Sequence, residues 1–395
     1  MFQFVIVGNG VAGTTAAEEI RKLDDRSPIT LLSEEDLPFY SRIRLPEMVA
    51  GDLEEPALVI KDEDWYWDHG LDLYLQTRIT SADPGRQVLT ASDGREFPYD
   101  LLLLANGSHS FVPPIEGADT PGVCTLRTVQ DARAIRGWAA ESNRVILIGG
   151  GLLGLEAGNG LRKLGKQVDV VEFFPRLLPR QLDFDGAARL QSMLEDMGFT
   201  FHLGAQAQRI SGHDHVQEVS LGDGLSLAAD MVLISAGVRP NVDLAGQLGI
   251  KTNKGVLVDD HLQTTQPSIY AAGDVAECRN RLYGIWPAAL EQGRLAGRNM
   301  VGRSEAYQGT VMANTLKVVG IDLASAGEID AENSLDSKVR STDGAYRKVV
   351  LDGSRIIGCI MLGDTRGFHA ATRMMQAETD VTGQVDALLD PEAWA

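Results

Sequence analysis

The chain's 395 residues are enough for two or three domains, and with 44% hydrophobic content it can bury sizeable cores. A net charge of -19 repels nucleic acid and anionic membranes alike, so neither is expected as a partner, and an acidic partner has to find a local basic patch. No apolar run approaches the roughly 18 residues of a membrane span, and Met1 leads directly into a strand-like run with no basic leader or cleavage site, which points to the cytoplasm.

Strand and helix signals alternate from the start. Phe4-Val5-Ile6-Val7 reads as a buried strand, Gly8-Asn9-Gly10-Val11-Ala12-Gly13 as a tight turn, Thr14 to Leu23 as a helix and Ile29 to Leu32 as the next strand. Tyr99 to Ala105 is a strand ending in Asn106-Gly107-Ser108, and Pro113-Pro114 with Gly117 marks a hinge or linker. The pattern then repeats. Val145 to Ile148 enters Gly149-Gly150-Gly151-Leu152-Leu153-Gly154, a helix follows, and a β-rich run from Val168 ends at Glu172. His213-Asp214-His215 reads as an exposed hairpin turn rather than a zinc site. Asp230 to Ala236 is an apolar strand closed by Gly237. Ile269 to Ala272 is another, meeting a helix start at Gly273-Asp274, and Ala288 to Met300 is a helix. Beyond Glu305 the style changes. Val311 to Val319, Tyr346 to Leu351 and Arg355 to Leu362 read as antiparallel strands, and Phe368 to Ala377 as a helix. The whole predicts an α/β fold with two Rossmann-like dinucleotide-binding domains plus a small C-terminal α+β domain. The first domain is discontinuous, over 1–111 and 238–304; the second covers 112–237 and the last 305–395.

In a dinucleotide-binding turn the first glycine permits the tight bend, the second lets the backbone approach the pyrophosphate, and the third lets helix and strand pack closely. The pyrophosphate then meets free N–H groups and the positive end of the helix dipole. The candidate positions are Gly8, Gly10, Ala12 and Gly13 in the first copy and Gly149, Gly151, Leu153 and Gly154 in the second. Each copy has an acid about 20 residues past its last glycine. In the second it is Glu172, which suits adenosine ribose hydroxyls and repels a 2′-phosphate, favouring NADH over NADPH. Phe173 and Phe174 follow it directly. Arg176 lies nearby, but no adjacent arginine stands ready for a phosphate. In the first copy Ser33 holds the ideal spot, and Glu34 and Glu35 are both candidates. Two dinucleotide sites on one chain suggest a hydride passed between them. Cys124, Cys278 and Cys359 show no C-x-x-C spacing and read as ordinary thiols, and the histidines show no metal spacing.

The order Gly8…Gly13, Ala105-Asn106-Gly107, Gly149…Glu156, Ala236 to Asn241 and Ala271-Ala272-Gly273-Asp274 resembles the two-dinucleotide flavoprotein family typified by glutathione reductase, over nearly the whole chain. The resemblance implies FAD in the N-terminal site, beside Ala105, Gly107, Gly273 and Asp274, and NADH in the inserted domain, whose site Gly237 closes. It places Asp274 on the ribityl or pyrophosphate region and Glu156 near the nicotinamide and flavin. Glu156 also reads as an ordinary first-turn acid stabilised by the helix dipole, and the two roles are compatible.

Disulfide reductases of this family carry a cysteine pair after the first acid, and the coenzyme A and peroxide branches carry one cysteine. Here Pro38 to Glu47 holds none, so thiol chemistry on the flavin is not expected. Tyr40 to Glu47 is similar to the segment in NADH:rubredoxin oxidoreductases and the flavin half of assimilatory nitrite reductases, which implies Arg42 along the FAD phosphates or ring. Ferredoxin-reductase relatives have a lysine where Glu47 stands, paired with the acid equivalent to Glu156. With Glu47 the pair is two acids, one of which can stay protonated, and Arg44 is the candidate for the missing positive charge. Tyr283 to Ala289 resembles the same branch, where Trp286 covers part of the flavin; an aromatic packed in the core at a helix start is the alternative. The implied activity is hydride transfer from NADH to FAD and then electron transfer to a small redox protein, rubredoxin first. A nitrite reductase partner, ferredoxin or oxygen are alternative acceptors, and a low-turnover signalling or scaffold role is the non-enzymatic one. Arg279, Arg281, Arg294, Arg298 and Lys317 are either a docking patch for an acidic acceptor or scattered solvated charges. Relatives dimerise through the C-terminal module or stay monomeric, and both states are open.

Overall fold

Every residue of Phe4–Val7 is buried, as a central strand covered on both faces requires. In the computed structural model, which describes residues 1–310, 313–342 and 344–394 (side chains of all but 313–318 and 394), this strand pairs in parallel with Ile29–Leu32 and Leu101–Leu104. Ile269–Ala271 and Asp72–Tyr74 complete a five-stranded parallel sheet with Phe4–Val7 at its centre. Alternation sends Phe4 and Ile6 to one face and Val5 and Val7 to the other. The first face is covered by helices Val11–Leu23 and Trp286–Met300. These helices approach so closely that a Cβ on Gly293 would lie 2.4 Å from the Ala12 carbonyl oxygen, and one on Gly297 2.6 Å from that of Ala16. The second face packs towards the antiparallel strands Ile79–Asp83, Val88–Ala91 and Glu96–Pro98. Together these elements form one compact unit, Met1–Arg44, Glu54–Phe111 and Val238–Thr310.

The second unit comprises Leu45–Leu53, Val112–Gly237 and Val311–Ala395. Its parallel sheet runs Thr200–Leu203, Gln167–Glu172, Arg144–Ile148, Met231–Ile234, Val123–Thr125. The short helix Leu45–Ala50, expected in the first domain, instead packs here on helix Leu152–Lys163. Gly160 makes this fit possible, since a Cβ there would be 3.1 Å from both the Ala50 Cβ and the Pro46 carbonyl oxygen. Lys163 Nζ, 2.7 Å from Asp52 Oδ2, ties the same pair of segments.

The C-terminal module is an antiparallel sheet in the order Ala313–Val318, Ile321–Gly327, Arg355–Leu362, Tyr346–Asp352, Asp336–Ser341, with helix Phe368–Gln376. Ile321–Gly327 and Asp336–Ser341 are additions to the expected strands, and Val311 and Met312 of the expected first strand lie outside the described residues. Within this unit Lys348 is fully buried. Its Nζ donates to Asp183 Oδ2 at 3.0 Å, the Asp330 carbonyl at 2.8 Å and Asn333 Oδ1 at 2.7 Å. Tyr346 donates its hydroxyl to the same Asp183 oxygen at 2.6 Å, while Asp183 Oδ1 caps helix Phe184–Asp196 by accepting from Gly186 N–H. No helix among the described residues is long and apolar enough to cross a membrane.

Candidate functional site

The two glycine turns occupy equivalent places, one in each parallel sheet. Gly8 and Gly149 both have φ +111°, a region open to glycine. Gly8 N–H donates to the Leu32 carbonyl and Gly149 N–H to that of Val171, both at 2.8 Å. A Cβ on Gly8 would lie 2.1 Å from the Ala105 carbonyl oxygen, and one on Gly149 2.3 Å from that of Ser235. Gly13 and Gly154 also lie close over the carbonyls of Gly8 and Gly149, at 2.0 and 2.8 Å by the same measure. Gly10 and Gly151 instead face open space and begin helices Val11–Leu23 and Leu152–Lys163 without a side-chain cap or a first-turn acid. Their N–H groups are therefore left for an anion at the ends of the strands, where open α/β sheets bind ligands.

Beside the first turn, Gly273 (φ +82°) lies against Ala12, and its N–H donates to Gln292 Oε1 at 2.9 Å. Asp274 Oδ2 accepts from Ser108 Oγ at 3.0 Å, and Gly107 (φ +64°) accepts the Asn241 N–H. Asn9 Oδ1 accepts from Tyr66 Oη at 2.8 Å and Thr14 Oγ1 at 3.1 Å. Asn9 Nδ2, Asn106 Oδ1 and Gln292 Nε2 are buried with no partner among the described residues. These three amides were not among the expected site residues. A sequence signal existed only for Asn9 and Asn106, which sit inside glycine-rich turns. Buried polar atoms normally find partners, so the three amides, together with the open face of Gly10, fit a large polar group such as FAD.

Of the two candidate acids, Glu35 is buried and takes hydrogen bonds from Tyr40 Oη and the Arg42 guanidinium. Arg42 also donates to Tyr40 Oη at 3.1 Å. Burial opposes the charge on Arg42, but Tyr40, Glu35 and Asp274 outweigh it and hold its pKa above the ordinary value. Glu34 stays apart, its side chain 62% exposed and 4.0 Å from Arg78. Arg44 donates to the Ala57 carbonyl at 3.0 Å. Trp286 begins its helix and packs half-buried on Phe39, ring centroids 5.8 Å apart, against the core of its unit. Arg279 pairs with Asp260 at 2.7 Å and Arg298 with Glu305 at 2.9 Å; Arg281 lies over the Tyr283 ring and Arg294 is exposed. The Lys317 side chain lies outside the described residues.

In the second turn Glu172 is buried beneath the glycines. Its Oε2 accepts Gly150 N–H at 2.6 Å and its Oε1 accepts Phe174 N–H at 2.8 Å. Leu153 is partly exposed, and Gly237 (φ +97°) faces open space. Arg176 turns inward: it donates to the Leu182 and Pro179 carbonyls and lies 4.5 Å from the Phe184 ring centroid. Glu156 Oε1 accepts Val319 N–H at 2.8 Å. Burial pushes the Glu156 carboxyl up, and the charge of Glu47, on the helix packed alongside, adds to that. Val319, at φ +56°, is a β-branched residue in the left-handed region, opening a two-residue turn with Gly320. The three thiols are free and buried. Burial raises all of them, Cys124 to about 11 and Cys359 to about 12. His213 and Asp214 sit in an exposed turn between strands Ala207–Ser211 and Glu218–Leu221.

Two parallel sheets, each with a strained glycine turn and an uncapped helix start at the ends of its central strands, define the two-dinucleotide flavoprotein reductase fold. The chain belongs to the pyridine nucleotide-disulphide oxidoreductase family, which it matches over residues 2–293, and residues 313–379 match the rubredoxin NAD+ reductase C-terminal domain. It is 38% identical over 384 residues to an NAD(P)H nitrite reductase of Bacillus subtilis (strain 168), covering 96% of this chain and 48% of that one. It is 36% identical over 282 residues to a rubredoxin-NAD(+) reductase of Pseudomonas putida, covering 71% and 73%. The structure of NADH:rubredoxin oxidoreductase from Clostridium acetobutylicum is similar at TM-score 0.82 and 27% identity, covering 96% of each chain. The chain spans about half the length of the nitrite and nitrate reductase proteins it matches.

Proposed function

We infer that the protein is an FAD-dependent NADH oxidoreductase that passes electrons to a small redox protein. One observation carries the reading: two glycine turns of the same strained geometry, each at the switch point of its own parallel sheet. FAD fits the first, held by Gly8, Gly10, Ala12 and Gly13 with Ala105, Gly107, Gly273 and Asp274, and by the amide atoms Asn9 Nδ2, Asn106 Oδ1 and Gln292 Nε2. NADH fits the second, through Gly149, Gly151, Leu153, Gly154 and Gly237, with Glu172 on the adenosine ribose. A bound flavin supplies acceptance of a hydride and release of electrons one at a time. Glu172 selects the cofactor by charge, Arg42 sets a positive group beside Asp274, and Glu156 with Glu47 supplies a half-buried acid whose carboxyl holds its proton to higher pH. With no cysteine between Pro38 and Glu47, electrons leave without a thiol relay. The reducing cytoplasm, where three free thiols persist, is the proposed compartment.

Rubredoxin is the proposed acceptor, supported by the C-terminal domain match and the rubredoxin reductase relative. A nitrite reductase partner is the second reading. It is favoured by matches over nearly the full chain, 38% identical to nitrite reductase and 35% identical to the assimilatory nitrate reductase electron transfer subunit of Bacillus subtilis (strain 168). Stopped-flow reoxidation of the NADH-reduced protein by rubredoxin, ferredoxin, oxygen and a nitrite-reducing partner tests the assignment. Fast reoxidation by rubredoxin alone supports the first reading. Slow reoxidation by every acceptor overturns the enzymatic one.

A further inference from the structure

We propose that Phe173 and Phe174 form an aromatic shelf that stacks against the adenine ring of NADH. The inference rests on the reading that the second glycine turn takes NADH. It names the side chains that recognise the far end of that molecule.

The two residues follow Glu172 at the carboxyl end of strand Gln167–Glu172, on the side of the sheet edge where the Gly149–Gly154 turn lies. The residues are 64% and 50% exposed, with ring centroids 5.5 Å apart and planes at 85°. Two adjacent exposed rings make a contiguous aromatic patch, the kind of surface that marks ligand and partner sites. The exposure does not come from a loose backbone. Phe174 N–H is held by the Glu172 carboxylate at 2.8 Å, the Phe174 carbonyl accepts Gly204 N–H at 3.0 Å, and the Glu172 carbonyl accepts Ala205 N–H at 3.0 Å. A fixed main chain thus presents two rings to solvent beside a carboxylate.

The chemistry of that neighbourhood matches the adenosine half of the cofactor. A carboxylate has about four lone-pair sites. The two N–H groups on Glu172 therefore leave acceptors for ribose hydroxyls. Arg176, the nearest cation along the chain, is committed to the Leu182 and Pro179 carbonyls and the Phe184 ring. A base arriving next to the ribose meets aromatic faces rather than a guanidinium. Every base has a π-face, and removing an aromatic platform commonly weakens binding by roughly ten- to hundred-fold.

The test uses the full chain with FAD bound and compares wild type with Phe173→Ala, Phe174→Ala and the double variant. Binding of ADP-ribose, which is redox-inactive, is measured by calorimetry. Flavin reduction is measured with NADH and with dihydronicotinamide mononucleotide, which lacks the adenylate. The proposal expects ADP-ribose and NADH to bind the double variant roughly ten- to hundred-fold more weakly, with reduction by the mononucleotide unchanged. Phe173→Tyr and Phe174→Tyr keep the ring and should retain wild-type affinity. Unchanged ADP-ribose affinity in the double variant overturns the shelf while leaving the NADH reading standing. An altered oligomeric state with unchanged ADP-ribose affinity also overturns it and assigns the rings to contact between copies. A wild type that binds neither ADP-ribose nor NADH sinks the shelf and the NADH reading together.

Discussion

The two glycine turns share their backbone and differ in what surrounds it. Gly8 and Gly149 have the same φ, the same N–H acceptor on the neighbouring strand and the same close approach to a carbonyl. Around the first, three buried amide atoms lack partners among the described residues and the acid position is filled by Ser33. Around the second, the acid is Glu172, already bonded to Gly150, and two phenylalanine rings stand in water. A turn whose surroundings are incomplete without a ligand suits a resident cofactor. One whose buried carboxylate is already held by the protein, through the N–H groups of Gly150 and Phe174, suits a visitor that comes and goes. The same local motif thus serves retention or exchange according to how its neighbours are satisfied.

The largest test of this contrast is Gly8→Ala. A Cβ there meets backbone at 2.1 Å in a conformation alanine rarely adopts, so the variant should fold poorly and purify without flavin, read by its visible spectrum. Gly10→Ala faces open space, so it should keep its melting temperature while losing flavin, separating the fold's need for glycine from the cofactor's. Lys348→Met comes next. It leaves Asp183 and Asp330 buried without their cation, and denaturant unfolding should show a loss of about 3–5 kcal/mol. Because Asp183 fixes the end of the segment that follows Glu172, NADH affinity should fall while flavin content does not. Glu172→Ala should narrow the preference for NADH over NADPH by roughly ten- to hundred-fold, the range of a hydrogen bond to a charged group. A wild type that strongly favours NADPH contradicts the assignment.

The smallest effect concerns Glu156. Its folded-state carboxyl is raised above the ordinary value, first by burial, so the ionised form is the one folding disfavours. Its favourable contribution is present below the unfolded pKa and is lost as pH rises through the folded pKa. Glu156→Gln should therefore be more stable than wild type at neutral pH, with the difference vanishing in acid. A melting-temperature series against pH reads this directly, and a difference that grows in acid contradicts it.

Much of this was legible in the chain because it is local. Strand, glycine turn, helix and acid lie within some 30 residues of each other, and Glu172 could be read straight from its spacing. What escaped depends on distant partners. Ile321–Gly327 is rich in alanine, serine and glycine, weak strand formers, and becomes a strand because Arg355–Leu362 pairs with it. Asp336–Ser341 is a polar edge strand with no alternation to reveal it. Lys348 looks like a solvated charge until Asp183, 165 residues earlier, is brought against it. Leu45–Ala50 follows the first acid in sequence yet packs with the second sheet's helix, a choice made by the small residues Gly160 and Ala50. The rival acids Glu34 and Glu35 could not be separated by spacing, and only the hydrogen bonds of Tyr40 and Arg42 distinguish them.

The central claim is that NADH at the second turn reduces FAD at the first and that electrons leave without passing through a thiol. An anaerobic titration of the FAD-loaded chain with NADH addresses it most directly. A single equivalent of NADH per flavin should bleach the flavin completely, with the number of alkylatable thiols the same before and after. Uptake of a second equivalent, with new reactive thiols appearing, would show a redox-active cysteine and contradict the account.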